Sequence, residues 1–331
     1  MTKAGGAWDV ACLGELFVDL TPHSKVDGQM LYAPSPGGAP GNVAVGLARL
    51  GRKVLMLARV GDEAFGRLLV AALQGHGVDV SGVVLAASEK TGLSVVTLAY
   101  DGERSFMFYH DKPADQHMAA ADVHDDVLRR CHVLHVGVLP LSGVASAEAQ
   151  RKAMETAASA GLVVSCDVNF RPNLWDEVAD MLDAGRFLLS CSTIVKVSEE
   201  ELAALCPSLE MTAAVASLWH ERLQLFSVTC GAQGAVMYAR ERRFICEGFR
   251  VEARDTTGAG DAYTSAIING AMDLDLVSAT DVQLGALLRR ACAAGALATT
   301  RKGAMDSQPT VQEIDALLAA QNVTVVVERC A

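Results

Sequence analysis

The chain carries Asp255-Thr256-Thr257-Gly258-Ala259-Gly260-Asp261, then Ala-Tyr-Thr-Ser-Ala-Ile-Ile-Asn-Gly over 262–270. An alternating stretch, 244–251, precedes it and an apolar run follows. The pattern predicts strand, tight glycine loop, helix. Two glycines around Ala259 let backbone N–H groups turn toward one point, and a helix start adds its positive end. The loop is therefore a small anion hole. Asp261 stands at its rim, where a carboxylate repels a phosphate unless it faces a hydroxyl about to attack phosphorus. A plain turn with Asp261 as helix cap also fits the bare motif.

Working outward, strand-like and helix-like stretches alternate along the chain. Strands are expected at 9–20, 54–60, 133–138, 163–168, 194–197, 225–229, 235–238 and 244–251, with a late one at 323–327. Helices are expected at 43–50, 62–74, 146–160, 175–188, 199–205, 211–221, 262–272 and 281–299. Asp101-Gly102-Glu103 between two alternating runs, 91–100 and 104–109, signals a hairpin that interrupts the rhythm and leaves the main sheet. The fold class is α/β: a doubly wound, mostly parallel sheet flanked by helices, with a small β appendage. In such sheets ligands bind at the carboxyl ends of the strands. Polar residues gather at those ends: Asp19, Asp167-Val-Asn169-Phe-Arg171, Lys196-Val-Ser198, Thr229-Cys-Gly231 and the 255–261 loop.

Composition narrows the function. The 331 residues are 51% hydrophobic but only 5% aromatic, which suits close helix-on-sheet packing. A net charge of −11, with no basic run, argues against nucleic acid and anionic membrane as partners. An anionic nucleotide would need a local site and a divalent cation. Nine scattered cysteines, none in a C-x-x-C pair, read as small buried hydrophobes of a reducing cytosol, so a cytoplasmic location is expected. No signal-peptide core is visible at the N-terminus, and the uncharged run at 131–147 is broken by Pro and Gly. Gly61 to Gly66 followed by Arg67 is a near miss to a phosphate-binding P-loop, without its lysine.

Two motifs in this order carry more than either alone. Gly37-Gly38-Ala39-Pro40-Gly41-Asn42, with Gly51 and Gly61 behind it, and Asp255 to Asp261 resemble the two signatures of the ribokinase-like (PfkB) carbohydrate kinases. The resemblance covers nearly the whole chain. The runs LGELFVDL, DGERSFMFYHDKPAD, VKVSEEEL and ATTRKGA look most like fructokinases. It implies one ribokinase-like kinase domain over 1–331, with a β lid contributed by about 15–37 and 91–112.

The resemblance also implies roles. Asp261 would be the catalytic base, and the N–H groups around Gly258, Ala259 and Gly260 would hold phosphoryl oxygens. Asp19, Gly37, Gly38 and Asn42 match sugar-binding positions, and Phe106 and Phe108 would cover the sugar from the lid. Lys196, Ser198, Thr229, Gly231, Gly234 and Cys292 fall at nucleotide positions for ATP. Cys292 stands where relatives often have Asn. Glu201 would reach Mg2+ through water. Asp255 and Thr257, with the loop 299–303, resemble the potassium loop of some relatives. Lids of related kinases clasp one another, so a homodimer through the lid is expected. Arg171 is the ambiguous residue, since arginine suits the carboxylate of a sugar acid. Fructose is the expected acceptor. The alternatives are 2-keto-3-deoxygluconate, aminoimidazole riboside, and a catalytically silent sugar-binding regulator.

Overall fold

The computed structural model describes residues 7–98, 104–109 and 112–330, and of residues 98 and 104–106 the backbone alone. The strands are β1 (Val10–Leu13), β2 (Phe17–Val26), β3 (Gln29–Gly37), β4 (Val54–Gly61), β5 (Asp79–Ala86), β6 (Gly92–Leu98) and β7 (Arg104–Tyr109). They continue with β8 (Val133–Gly137), β9 (Val163–Asp167), β10 (Ile194–Ser198), β11 (Leu225–Thr229), β12 (Gly234–Ala239), β13 (Arg242–Glu247) and β14 (Val325–Arg329). The helices are α1 (Ala39–Arg49), α2 (Ala64–Gly75), α3 (Asp125–Leu128), α4 (Val144–Ala160) and α5 (Val178–Ser190). After them come α6 (Glu199–Leu205), α7 (Met211–Leu218), α8 (Ala259–Ala271), α9 (Asp281–Ala298) and α10 (Val311–Ala320).

Ten strands form one sheet in the order β14-β13-β12-β11-β10-β9-β8-β1-β4-β5. The seven from β11 to β5 run parallel, and β12, β13 and β14 extend it antiparallel. Alternate side chains feed opposite faces. On β1, Ala11 and Leu13 pack with Ala149, Ala153 and Leu188 of α4 and α5. Val10 and Cys12 point the other way, with Val43 and Leu47 of α1 and Leu69 of α2. Further along that face, Met237 and Phe244 pack under Tyr263 of α8 and Leu288 of α9. The direction of strand addition reverses beside β1, the crevice where doubly wound sheets bind ligands.

The remaining strands form a second sheet, β3-β2-β6-β7, so the hairpin does leave the main sheet. Its predicted turn, 101–103, lies outside the described residues, as does the Phe106 side chain. The strand expected at 9–20 is two strands in two sheets. The break falls at Gly14, where a Cβ would lie 2.4 Å from Pro40 Cγ, so the chain must turn out beneath α1. The strand expected at 244–251 ends at Glu247, and α8 starts at Ala259, three residues earlier than expected. Three further elements went unread, the shortest being α3. β5 is an edge strand whose Gly82 lies against Leu57, which spoils its alternation. α10 opens with a Thr310–Glu313 capping box, a signal present in the sequence. Among the described residues no helix is long and apolar enough to cross a membrane. The nine cysteines form no disulfide.

Candidate active site

The glycine-containing turns that open α2 and α8 differ in a decisive way. At α2 the Glu63 carboxylate accepts from the N–H groups of Phe65 at 2.8 Å and Gly66 at 3.2 Å. That helix start is filled by its own side chain. At α8 the cap residue is Gly258, left-handed at φ 80°, with no side-chain cap bond. First-turn N–H groups have no acceptor inside a helix. Ala259 N–H turns back to Thr256 O at 3.3 Å, so Gly260 and Asp261 supply the outward donors. Gly258 is required here: a Cβ would meet the Ala304 carbonyl at 3.0 Å.

Asp261 is not the helix cap. It sits in the first turn of α8, buried, and its Oδ2 accepts from Asn42 Nδ2 at 2.8 Å. Burial raises its pKa to about 6, helped by the Asp167 charge and opposed by Asn42, Lys196 and Arg171. Lys196 of β10 is also buried, its Nζ 3.1 Å from Asp167 Oδ2 and 3.2 Å from Oδ1. A Cβ on Gly260 would lie 3.1 Å from that ammonium, so Lys196 abuts the anion hole from below. Burial works against the Lys196 charge. Asp167, Glu201 and Asp261 outweigh it and hold its pKa above the ordinary lysine value.

The small sheet brings a second group to the same cleft. Asp19 is buried, faces Ser94 across β2 and β6, and accepts from the Ser94 hydroxyl. Burial raises its pKa, with Ser94 and Arg171 opposing. A Cβ on Gly37 would press Asp19 Oδ2 at 2.9 Å. Gly38, at φ 107°, lies against the Glu15 carbonyl, 2.4 Å from where its Cβ would sit. Phe108 meets Phe17 edge to face, ring centroids 6.1 Å apart. Arg171 is exposed and donates to the Phe170 carbonyl, yet its charge reaches Glu15, Asp19 and Asp261.

The third group lines the ends of β10, β11 and β12. Ser198 and Glu201 form a capping box at α6: Ser198 N–H donates to Glu201 Oε2 at 2.6 Å. Glu201 Oε1 accepts from Phe170 N–H at 2.9 Å, so this carboxylate ties the 169–171 loop to α6. Both its oxygens already hold backbone donors, and among the described residues no three His, Cys, Asp or Glu side chains converge as a metal cage. That donor set fits a magnesium ion that keeps its waters and rides on phosphates, not one bound directly by protein. Thr229 donates to Val197 O at 3.4 Å. Gly231 (φ 55°) and Gly234 (φ 104°) shape the turn after β11, and a Cβ on Gly234 would meet Cys246 O at 2.1 Å. Such a bare-backbone cradle fits nucleotide phosphates. Cys292 is buried on α9, and the neighbouring Cys246 thiol and burial raise its pKa well above the ordinary thiol value. Farther along the loop, the Asp255 carboxylate accepts from Thr257 N–H at 3.0 Å and Gly303 N–H at 3.1 Å.

Sequence reasoning passed over four of the residues gathered here. Asp167 was seen only as a polar strand end, and Ser94 depends on strand register. Glu15 and Asp115 are buried carboxyl residues within charge range of each other. Burial raises the Glu15 pKa to about 8.

Comparison with known proteins agrees with this geometry. The family model described as pfkB family carbohydrate kinase matches residues 8–311. Fructokinase-2 of Solanum habrochaites is 36% identical over 315 residues, covering 93% of this chain and 95% of that protein. Fructokinase-1 of Oryza sativa subsp. japonica is 37% identical over 318 residues, covering 94% and 98%. Among solved structures, the ATP-bound fructokinase of Xylella fastidiosa superposes with a TM-score of 0.87 at 31% identity, covering 95% of this chain and 98% of that one. A fructokinase double mutant of Vibrio cholerae O395, bound to fructose, ADP and potassium, gives 0.84 at 31% identity, covering 96% and 100%. The match runs through the elements that converge on Asp261, and the chain belongs to the pfkB family of carbohydrate kinases.

Proposed function

We propose that this chain transfers the γ-phosphate of ATP to the primary hydroxyl of fructose. One observation carries the reading: an uncapped helix start beside a buried carboxylate that is ionised at neutral pH but basic enough to take a proton. A general base works best with a pKa near the working pH and contributes about 10²–10⁴-fold. The Gly260 and Asp261 N–H groups and Lys196 face the position where phosphoryl charge develops, which is where preorganised donors act most. Asp19 accepts hydrogen bonds from sugar hydroxyls, with Gly37 and Gly38 giving the ring close backbone approach. Phe108 covers the cleft from the small sheet, which acts as the lid. Thr229, Gly231 and Gly234 cradle the nucleotide, with Ser198 and Cys292 beside it. Magnesium, when bound, neutralises phosphate charge, held through water by Glu201. The paired backbone N–H groups on Asp255, with Thr257, favour the 255–257 turn as an ordered loop suited to potassium.

Fructose is preferred over sugar acids because Arg171 is the cleft cation named for a carboxylate and is half turned to its own backbone. The fructokinase names of the relatives weigh the same way. The outer lid leaves Val26, Met30, Leu31, Tyr32, Met107 and Tyr109 exposed, an apolar set suited to a second copy. A coupled ADP-release assay with fructose, 2-keto-3-deoxygluconate, ribose and aminoimidazole riboside tests the reading. Fructose should give the highest kcat/KM; ADP release indifferent to every sugar would refute it.

A further inference from the structure

The polar row beneath the anion hole is set by sheet register. In the parallel pairing Lys196 of β10 stands directly beside Asp167 of β9. Both carboxylate oxygens lie within 3.2 Å of the ammonium, and Thr264 of α8 donates to Oδ2 at 3.3 Å. Asp167 is buried to 2% exposure and points to the α8 side, as does Ser165, which meets His135. Lysine is a flexible point charge on a four-carbon stem. Left alone in this crevice, its ammonium has rotamers that turn away from Gly260. The carboxylate on the neighbouring strand removes that freedom.

Resting on the kinase reading above, we propose that Asp167 is a positioning residue: it clamps the Lys196 ammonium under Gly260, against the first turn of α8. Asp167 touches neither the sugar nor the nucleotide in this scheme. Its carboxylate accepts from the lysine and from Thr264, so strand β9 and helix α8 are locked to one charge. The groups facing Asp261 are Asp167, Lys196, Arg171, the Glu15 carboxyl and the Asn42 amide. Removing Asp167 takes away a negative neighbour, and removing Lys196 takes away a positive one. The two changes must therefore move the Asp261 ionisation in opposite directions.

The test is the pH profile of kcat/KM for fructose in wild type, Asp167→Asn, Asp167→Glu and Lys196→Met, with folding checked by thermal melting. Asp167→Asn should shift the acid limb to lower pH and lower kcat by about 10²-fold through a misplaced ammonium. Lys196→Met should shift the limb to higher pH. Asp167→Glu keeps the charge but pushes the lysine, so kcat should fall with the limb unmoved. If Asp167→Asn folds and its limb stays where wild type has it, the inference is wrong. It is also wrong if excess magnesium restores Asp167→Asn to wild-type kcat, since Asp167 would then serve the metal. Should Asp167→Asn not fold, Asp167→Glu and Lys196→Met decide alone: a shifted limb in the first or an unshifted one in the second overturns the proposal. Failure of the kinase reading itself would look different, because wild type would then show no sugar-dependent turnover at any pH.

Discussion

Asn42 donates through Nδ2 to Asp261 Oδ2 at 2.8 Å, joining two residues 219 positions apart. One stands in the first turn of α1, the other in the first turn of α8. The two glycine-rich motifs thus meet as a hydrogen bond between their helix starts. The donor side of the amide faces the base, while Asn42 Oδ1 is buried with no hydrogen-bond partner among the described residues. Replacing Asn42 with Ala removes a donor to the ionised carboxylate, so the Asp261 pKa must rise. In wild type kcat/KM should fall below about pH 6. In Asn42→Ala that limb should lie at higher pH, with kcat at pH 7 down by an estimated ~10-fold. A rate profile from pH 5 to 9 checks both.

Glu15 gives a stability prediction. Its folded pKa is about 8 against 4.5 for the free group, so the folded state holds a proton that the unfolded chain has released. Stability contributed at low pH is therefore lost as pH rises from 4.5 to 8. The loss is at most about 1.4 kcal/mol per pH unit. Glu15→Gln, which cannot ionise, should flatten that decline and melt higher than wild type at pH 8. Parallel melting curves across the window would remove Glu15 from this role.

Gly38→Ala and Gly234→Ala should separate the two halves of the site. At Gly38 a Cβ strikes the Glu15 carbonyl, and at Gly234 it strikes Cys246 O. Both positions also need positive φ, so each change costs about 1–3 kcal/mol of strain. Gly38→Ala should raise the KM for fructose, and Gly234→Ala the KM for ATP. The reverse pattern would exchange the assignments.

These residues also mark how far the sequence could be read. The strand–loop–helix sequence from 244 to 270, the hairpin and the alternation of strands and helices were legible because glycine turns and periodicity are local. The division of 9–20 between two sheets was not, because it depends on Pro40 lying over Gly14. Asp167 and Ser94 were missed as site residues for a similar reason: each acquires its partner only through strand register, with Lys196 and Asp19 respectively. Glu201 was expected to reach Mg2+ through water, and what the sequence did not show is that both its oxygens accept from backbone N–H groups. The near miss at 61–66 needed Glu63 to be seen filling its own helix start.

Arg171→Ala addresses substrate choice. The side chain is exposed, so its loss should change kcat/KM for fructose by less than about tenfold, ~1.4 kcal/mol. A sugar acid should lose far more, because its carboxylate loses its partner. Equal losses for both sugars in steady-state assays would remove Arg171 as a reader of charge.

The central claim is that Asp261 takes the proton from the attacking hydroxyl. The most direct measurement is fructose-dependent ADP release by Asp261→Asn beside wild type, with ATP affinity and melting temperature measured on the same samples. Taking a raised-pKa carboxyl out of the core should leave the variant folded and up to ~3 kcal/mol more stable at pH 7. ATP should bind as before, while turnover falls at least ~10²-fold. A folded Asp261→Asn that turns over fructose at near the wild-type rate would contradict the account.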